Sequence, residues 1–335
     1  MAIEDVLKAC QLHFLSVPNV VGVGLGYKVV GGQQTDILSI SVLVSRKLPA
    51  NELERHYLIP RQVGDAPTDV LEVGELRLLH DLDRRARLRP VRPGVSIAHY
   101  RVSAGTLGAV VYDRRTRASL LLSNNHVLAN ITDGSDGRAQ VGDPILQPGR
   151  YDGGTQSDVV ARLERFVPIH RAAVEPSCRV AKAVEGMLNR LVGRVAPRYQ
   201  LRLFRVTRAA NLVDAAVARP LTSDLVDPDI LEVGVPRGTT EPRIGMEVLK
   251  SGRTSGVTRG RIQVIRATVR VFMGELGWAY FSEQMVTTAL AEPGDSGSLV
   301  LNHRLEAVGL VGAGSQQATV CSTITNVCRL LAVVL

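Results

Sequence analysis

The chain has 335 residues, of which 45% are apolar and only 4% aromatic. That composition forms cores and is long enough for two domains. The formal net charge is +8 and the pI about 9.6. However, no apolar run approaches the roughly 18 residues of a membrane span, and no basic, apolar and small-residue succession marks a secretory signal, so a membrane partner is not expected and a cytoplasmic location is.

Residues 3–15 place Ile3, Val6, Leu7, Cys10 and Phe14 at helical spacing, and Pro18 ends that helix. Residues 20–30 alternate as a strand, Gly31-Gly32 signals a hairpin turn, and 37–44 return as a second strand. Gly22-x-Gly24-x-Gly26 lacks the spacing and the following helix of a dinucleotide loop, so no cofactor is expected there. With a short strand near 69–73, residues 1–80 read as a small α+β domain. Residues 81–93 carry Arg84, Arg85, Arg87, Arg89 and Arg92 among prolines. A solvated basic linker and a nucleic-acid patch both fit that run. Without aromatic interleaving or a DNA-reading motif, nucleic acid is not an expected partner.

From Gly94 the texture changes. Short strands at 108–112, 119–123, 246–250, 260–271, 278–281, 284–289, 299–301 and 307–311 recur between Gly-rich turns. This predicts a mainly β domain, a barrel or sandwich, over 94–335. One stretch departs from it. Val180, Ala183, Val184, Met187, Leu188, Leu191 and Val192 fall at helical spacing, with Lys182, Glu185, Asn189 and Arg190 between them. A helical insertion over about 172–200 is expected, its apolar face packed on the barrel or on a neighbouring subunit, which leaves a homo-oligomer open. Cys10, Cys178, Cys321 and Cys328 match no zinc spacing, so no metal is expected, and in a reducing compartment they read as free thiols.

The chemistry concentrates at Gly294-Asp295-Ser296-Gly297-Ser298. Flanking glycines permit a tight loop that can present a hydroxyl beside two backbone N–H groups. A serine hydroxyl becomes a nucleophile only when a base takes its proton and a third group orients that base. Among seven histidines, His126 stands where the apolar run Leu120-Leu121-Leu122 meets the polar Ser123-Asn124-Asn125. Asp214 is embedded in Leu212-Val213 and Ala215-Ala216-Val217, a costly place for a carboxylate unless it is hydrogen-bonded.

The order His126, Asp214, Ser296 is that of chymotrypsin. Residues 94–335 resemble a trypsin/chymotrypsin-fold serine protease. Ala291 to Gly297 resembles the nucleophile loop of the streptogrisins, and Asn124-Asn125-His126-Val127 the histidine loop of the HtrA proteases. Asp214-Ala215-Ala216-Val217-Ala218 is similar to the family's D-[IL]-A-[VL] signature, and 248–260 to its K-x-G-x-T-T-G-x-T-x-G turn. Gly22 to Lys28, Arg46 to Pro49, Pro67 to Val70 and Arg92-Pro93-Gly94 resemble the leading segment of the NAL1-like trypsin-like proteins of plants and bacteria. The resemblance implies a two-barrel protease domain, a nucleophile at Ser296, a base at His126, an orienting carboxylate at Asp214 and an oxyanion hole formed by the backbone N–H groups of Gly294 and Ser296. It also implies a protein or peptide substrate paired along Ala307–Gly314, touching Leu310, Val311, Gly312 and Gly314. Leu290 would lie near a specificity pocket with no evident carboxylate. Asp295 requires a partner, because no Ile-Val-Gly-Gly activation terminus is present. A gated or inactive protease-fold scaffold is the alternative function.

Overall fold

The computed structural model describes all residues except 1, 32, 50, 52, 75, 77–82, 175–177 and 207–209. The chain divides into two compact units, Met1–Leu82 and Asp83–Leu335.

In the first unit, the helix Ile3–Leu15 buries Val6, Cys10 and Phe14, as their spacing predicts. They meet Ile40, Val42 and Ala66 from a four-stranded sheet. Its strands lie in the order Val20–Val30, Gln33–Val44, Ala66–Glu72, Gln62–Val63. The first two form an antiparallel hairpin. Its turn contains Gly31, at a φ of 61°, whereas Gly32 lies outside the described residues. Gln33–Val44 and Ala66–Glu72 then pair in parallel.

The second unit is mainly β. Six antiparallel strands close a barrel in the order Glu247–Gly252, Gly256–Phe272, Trp278–Thr288, Ala318–Thr323, Ala307–Gly314 and Leu299–Asn302. The other sheet has eight strands, with Ala109–Asp113, Ser119–Ser123, Ala216–Pro220 and Val159–Phe166 at its centre. The expected pair of barrels thus appears as one closed barrel and one eight-stranded sheet. The terminal strand of that sheet, Gly105–Thr106, spends an edge donor elsewhere, since Thr106 N–H bonds the Ser296 carbonyl at 2.8 Å.

Side chains alternate between the two faces of a strand, and strands such as Ser119–Ser123 and Leu299–Asn302 bury both faces, which explains the layering. Val110, Leu121, Val160 and Ala218 fill the sheet's own core, and Val248, Ile262, Met285 and Val308 fill the barrel. Between them Leu120, Leu122, Val213, Leu299 and Leu310 form a third cluster, with Ile324, Val327 and Leu331 of the helix Ile324–Leu331.

The arginine-rich segment belongs to this second unit. Arg84 is buried, and its guanidinium bonds Ser251 Oγ at 2.7 Å and the Gly94 carbonyl at 3.2 Å. Arg89 reaches the Gln147 carbonyl, and Arg92 pairs with Asp229. These cations are used internally. The helix Arg179–Val195 forms where the 3.6-residue period predicts it, but no residue on it is buried.

Candidate active site

Strand register brings His126 and Asp214 together. Ala216, Val217 and Ala218 pair with Ser123, Leu122 and Leu121. His126, three residues past Ser123, and Asp214, two residues before Ala216, therefore leave the sheet at the same end. His126 sits in the helical turn Asn125–Leu128. Its Nδ1 is hydrogen-bonded to Asp214 Oδ2, and its backbone N–H donates to Oδ1 at 3.2 Å. Burial works against the imidazolium, but the carboxylate and its hydrogen bond outweigh burial and raise the His126 pKa above its ordinary value.

Neighbouring groups fix both partners. Asn124 Nδ2 donates to the Asp214 carbonyl at 2.7 Å. Asn125 spans Thr132 and Val167, which pins the histidine turn. Asp214 N–H donates to Ser322 Oγ at 3.2 Å, and that hydroxyl donates to Gln284 Oε1. Sequence reading missed Ser322 and Gln284. Their signal was present but weak: each is a polar residue in a strand that is otherwise largely apolar. His99, by contrast, is buried against Asp143 and stands apart from this group.

The Ser296 loop is held by a buried ion pair. Asp295 and Lys250 are both fully buried, with Lys250 Nζ 3.0 Å from Asp295 Oδ2. Asp295 also accepts hydrogen bonds from Ser255 Oγ and from the N–H groups of Thr254 at 2.8 Å, Ser255 at 3.2 Å and Glu292 at 3.0 Å. Burial alone would raise the Asp295 pKa, but these donors and the Lys250 cation hold it below its usual value. The partner that Asp295 requires is therefore Lys250, from the 248–260 turn. That turn also carries Arg253, which is paired with buried Asp152 and donates its N–H to Thr106 Oγ1 at 3.0 Å. Thr106 Oγ1 in turn donates to the Gly294 carbonyl at 2.9 Å.

Gly294 and Gly297 take φ values of 102° and 93°. A side chain at 297 would collide with Ser123 Oγ and the Thr106 carbonyl, so the loop packs directly on the strand that leads to His126. Within the loop, Asp295 N–H, Gly297 N–H and Ser298 N–H are spent on the carbonyls of Glu292, Val311 and Asp295. The N–H groups of Gly294 and Ser296 donate to none of the described residues. Ser296 Oγ and His126 Nε2 carry no hydrogen bond among the described residues either.

Two clefts adjoin along one strand. His126 and Asp214 line the first, with Phe281, Gly312 and Ala313. Ser296 lines the second, with Ala291, Glu292, Val311, Ala313 and Gly314. Past Leu310, Ala307–Gly314 has no strand partner on its Leu299–Asn302 side, and the Val311 N–H and carbonyl are used by Ser298 and Gly297. Gly312 to Gly314 thus present the open edge. Leu310 and Leu290 do not line either cleft. Leu310 is fully buried between sheet and barrel, and Leu290 is a barrel core residue. Both side chains thus face apolar cores and not a substrate. In place of Leu290, Glu292 brings a carboxylate to the Ser296 cleft. Among the described residues no cluster of three or more His, Cys, Asp or Glu is placed to hold a metal ion.

No protein-family model matches the chain. No curated protein matches it either. Solved structures similar to it include Thermobifida fusca protease A, at 17% identity and TM-score 0.46, covering 73% of this chain and 98% of that one. A Nocardiopsis protease gives 15% identity and TM-score 0.45, with 73% and 98% covered. A Cellulomonas bogoriensis chymotrypsin gives 16% identity and TM-score 0.43, with 73% and 97% covered. These structural neighbours are bacterial serine proteases of low identity to the chain.

Proposed function

We propose that this chain is an intracellular serine endopeptidase of trypsin-like type, related to the NAL1-like proteins. The observation that carries the reading is the pairing of His126 with Asp214 beside a serine loop in which only the Gly294 and Ser296 N–H groups remain unspent. In this reading Ser296 Oγ attacks the scissile carbonyl while His126 Nε2 takes its proton. Asp214 holds the ring in the Nδ1–H tautomer and stabilises the imidazolium. The two free N–H groups receive the oxyanion, a donor pair in which each member typically accounts for about 2.7–4 kcal/mol of transition-state stabilisation. The imidazolium then protonates the leaving amine, and water resolves the acyl-enzyme by the same steps. The peptide would lie along the free edge at Gly312 to Gly314. Four unbridged cysteines accord with a reducing compartment. A peptide library incubated with the wild type and analysed by mass spectrometry tests the reading. Defined cleavage products that vanish with Ser296→Ala are expected, and an uncut library contradicts it.

The second reading is a gated or inactive scaffold that binds peptides. The absence of a hydrogen bond between Ser296 and His126 favours it, although such bonds are often long in a substrate-free site. Saturable peptide binding without turnover, in wild type and Ser296→Ala alike, would select that reading.

A further inference from the structure

The segment 178–206 stands out from the rest of the second unit by its exposure. On the helix Arg179–Val195, Val180 is 70% exposed, Met187 55%, Leu191 52% and Val195 89%. Their spacing, with Val184, is four, three, four and four residues, which places all five on one stripe at about 100° per residue. By the same arithmetic Arg179, Arg190 and Arg194 run along one border of that stripe. The opposite side of the helix is occupied. Asn189 exchanges hydrogen bonds with the backbone of Leu201, and Glu185 accepts the Leu203 N–H at 2.9 Å. The returning segment 199–206 adds Tyr199, Phe204 and Val206, all more than half exposed. Across 178–206 there are seven cationic side chains and a single acid, Glu185.

We propose that this face docks on an anionic lipid surface. Three observations select that occupant. The stripe is apolar with arginines at its edge, the arrangement that seats a helix in the plane of a bilayer interface, with cations at the headgroups. The covered far side leaves the helix a single face to offer, which suits a plane better than a groove that closes around a helix. A second copy of the chain would set the same arginines against one another, and Glu185 is already engaged with Leu203. The expectation that this face packs on the barrel or on a neighbouring subunit, with no membrane partner, is thereby revised. None of the described helices is long and apolar enough to cross a membrane. The docking does not depend on the hydrolase reading.

Flotation of the full chain with vesicles tests the proposal. Vesicles of phosphatidylcholine containing phosphatidylglycerol should carry the protein upward at low salt, less of it at high salt, and phosphatidylcholine alone should not. Leu191→Asp should abolish flotation. Arg190→Glu combined with Arg194→Glu should lower partitioning at least about tenfold. These side chains are exposed, so the variants should keep the wild-type circular dichroism; if Leu191→Asp does not, the double arginine variant decides. Failure of the wild type to float with the anionic vesicles would overturn the proposal. So would flotation that salt and the variants leave unchanged. Sedimentation velocity on the same proteins identifies the rival occupants: a wild-type dimer that Leu191→Asp splits, or an acidic protein bound in place of vesicles, would likewise overturn it.

Discussion

At the residue scale, the candidate site rests on one electrostatic arrangement. His126 is joined to Asp214, whose backbone is held by Asn124 and Ser322. Its raised pKa has a direct kinetic consequence. A general base must be neutral, so the acid limb of kcat/KM should lie above the ordinary histidine value of about 6.5. Asp214→Asn removes the carboxylate, so the limb should move to lower pH while kcat falls by about four orders of magnitude. A pH–rate series on both proteins checks this, and an unmoved limb would show that Asp214 does not set the base. The stability effect of His126 has the opposite sense. A folded pKa above the unfolded one stabilises the protein fully below about 6.5, and that contribution is lost as the pH rises through the folded value. His126 and Asp214 were legible in the sequence because each is a polar residue placed against an apolar run. Leu290 and Leu310 are assigned to the substrate through the resemblance, which locates a loop and a strand but not whether a given side chain in them faces a cleft or a core.

At the element scale, the loop before and after Ser296 is rigid by construction. Asp295 is buried with five donors around it, and Lys250 supplies the balancing charge from a barrel strand. Removing one member of such a pair leaves an uncompensated buried charge. Lys250→Met should lower unfolding free energy by about 3–5 kcal/mol in a urea titration, and it should also disorder the loop enough to slow acylation of Ser296. A stability equal to the wild type would mean that the loop does not need the cation. Gly297→Ala is the backbone counterpart. At a φ of 93° an alanine is strained, and its Cβ meets Ser123 and Thr106. A lower thermal midpoint and lost acylation are expected from it. Lys250 was visible in the sequence as a lysine in a strand. Its partner was not, because the pairing spans 45 positions and depends on barrel register.

At the scale of the whole molecule, the boundary between the two units carries a testable consequence. Arg84 and the backbone at Val91 are tied into the second unit, with Val91 N–H 2.7 Å from the Leu225 carbonyl and Arg84 bonded to Ser251. A fragment spanning 83–335 should therefore melt at a higher temperature than one spanning 94–335, and equal midpoints would show that the arginine segment is dispensable. Composition and strand spacing announced a small α+β unit followed by a larger β-rich stretch. The arginines read as a linker because sequence cannot show that a guanidinium is buried when its acceptors, Ser251 among them, lie far along the chain. The central claim, that Ser296 is a nucleophile activated by His126 and Asp214, is tested most directly by intact-mass spectrometry after treatment with a fluorophosphonate. One adduct, located on Ser296 and absent from Ser296→Ala and His126→Ala, is the predicted result. A wild-type protein that gains no adduct, or one that is labelled equally in the Ser296→Ala variant, would contradict the account.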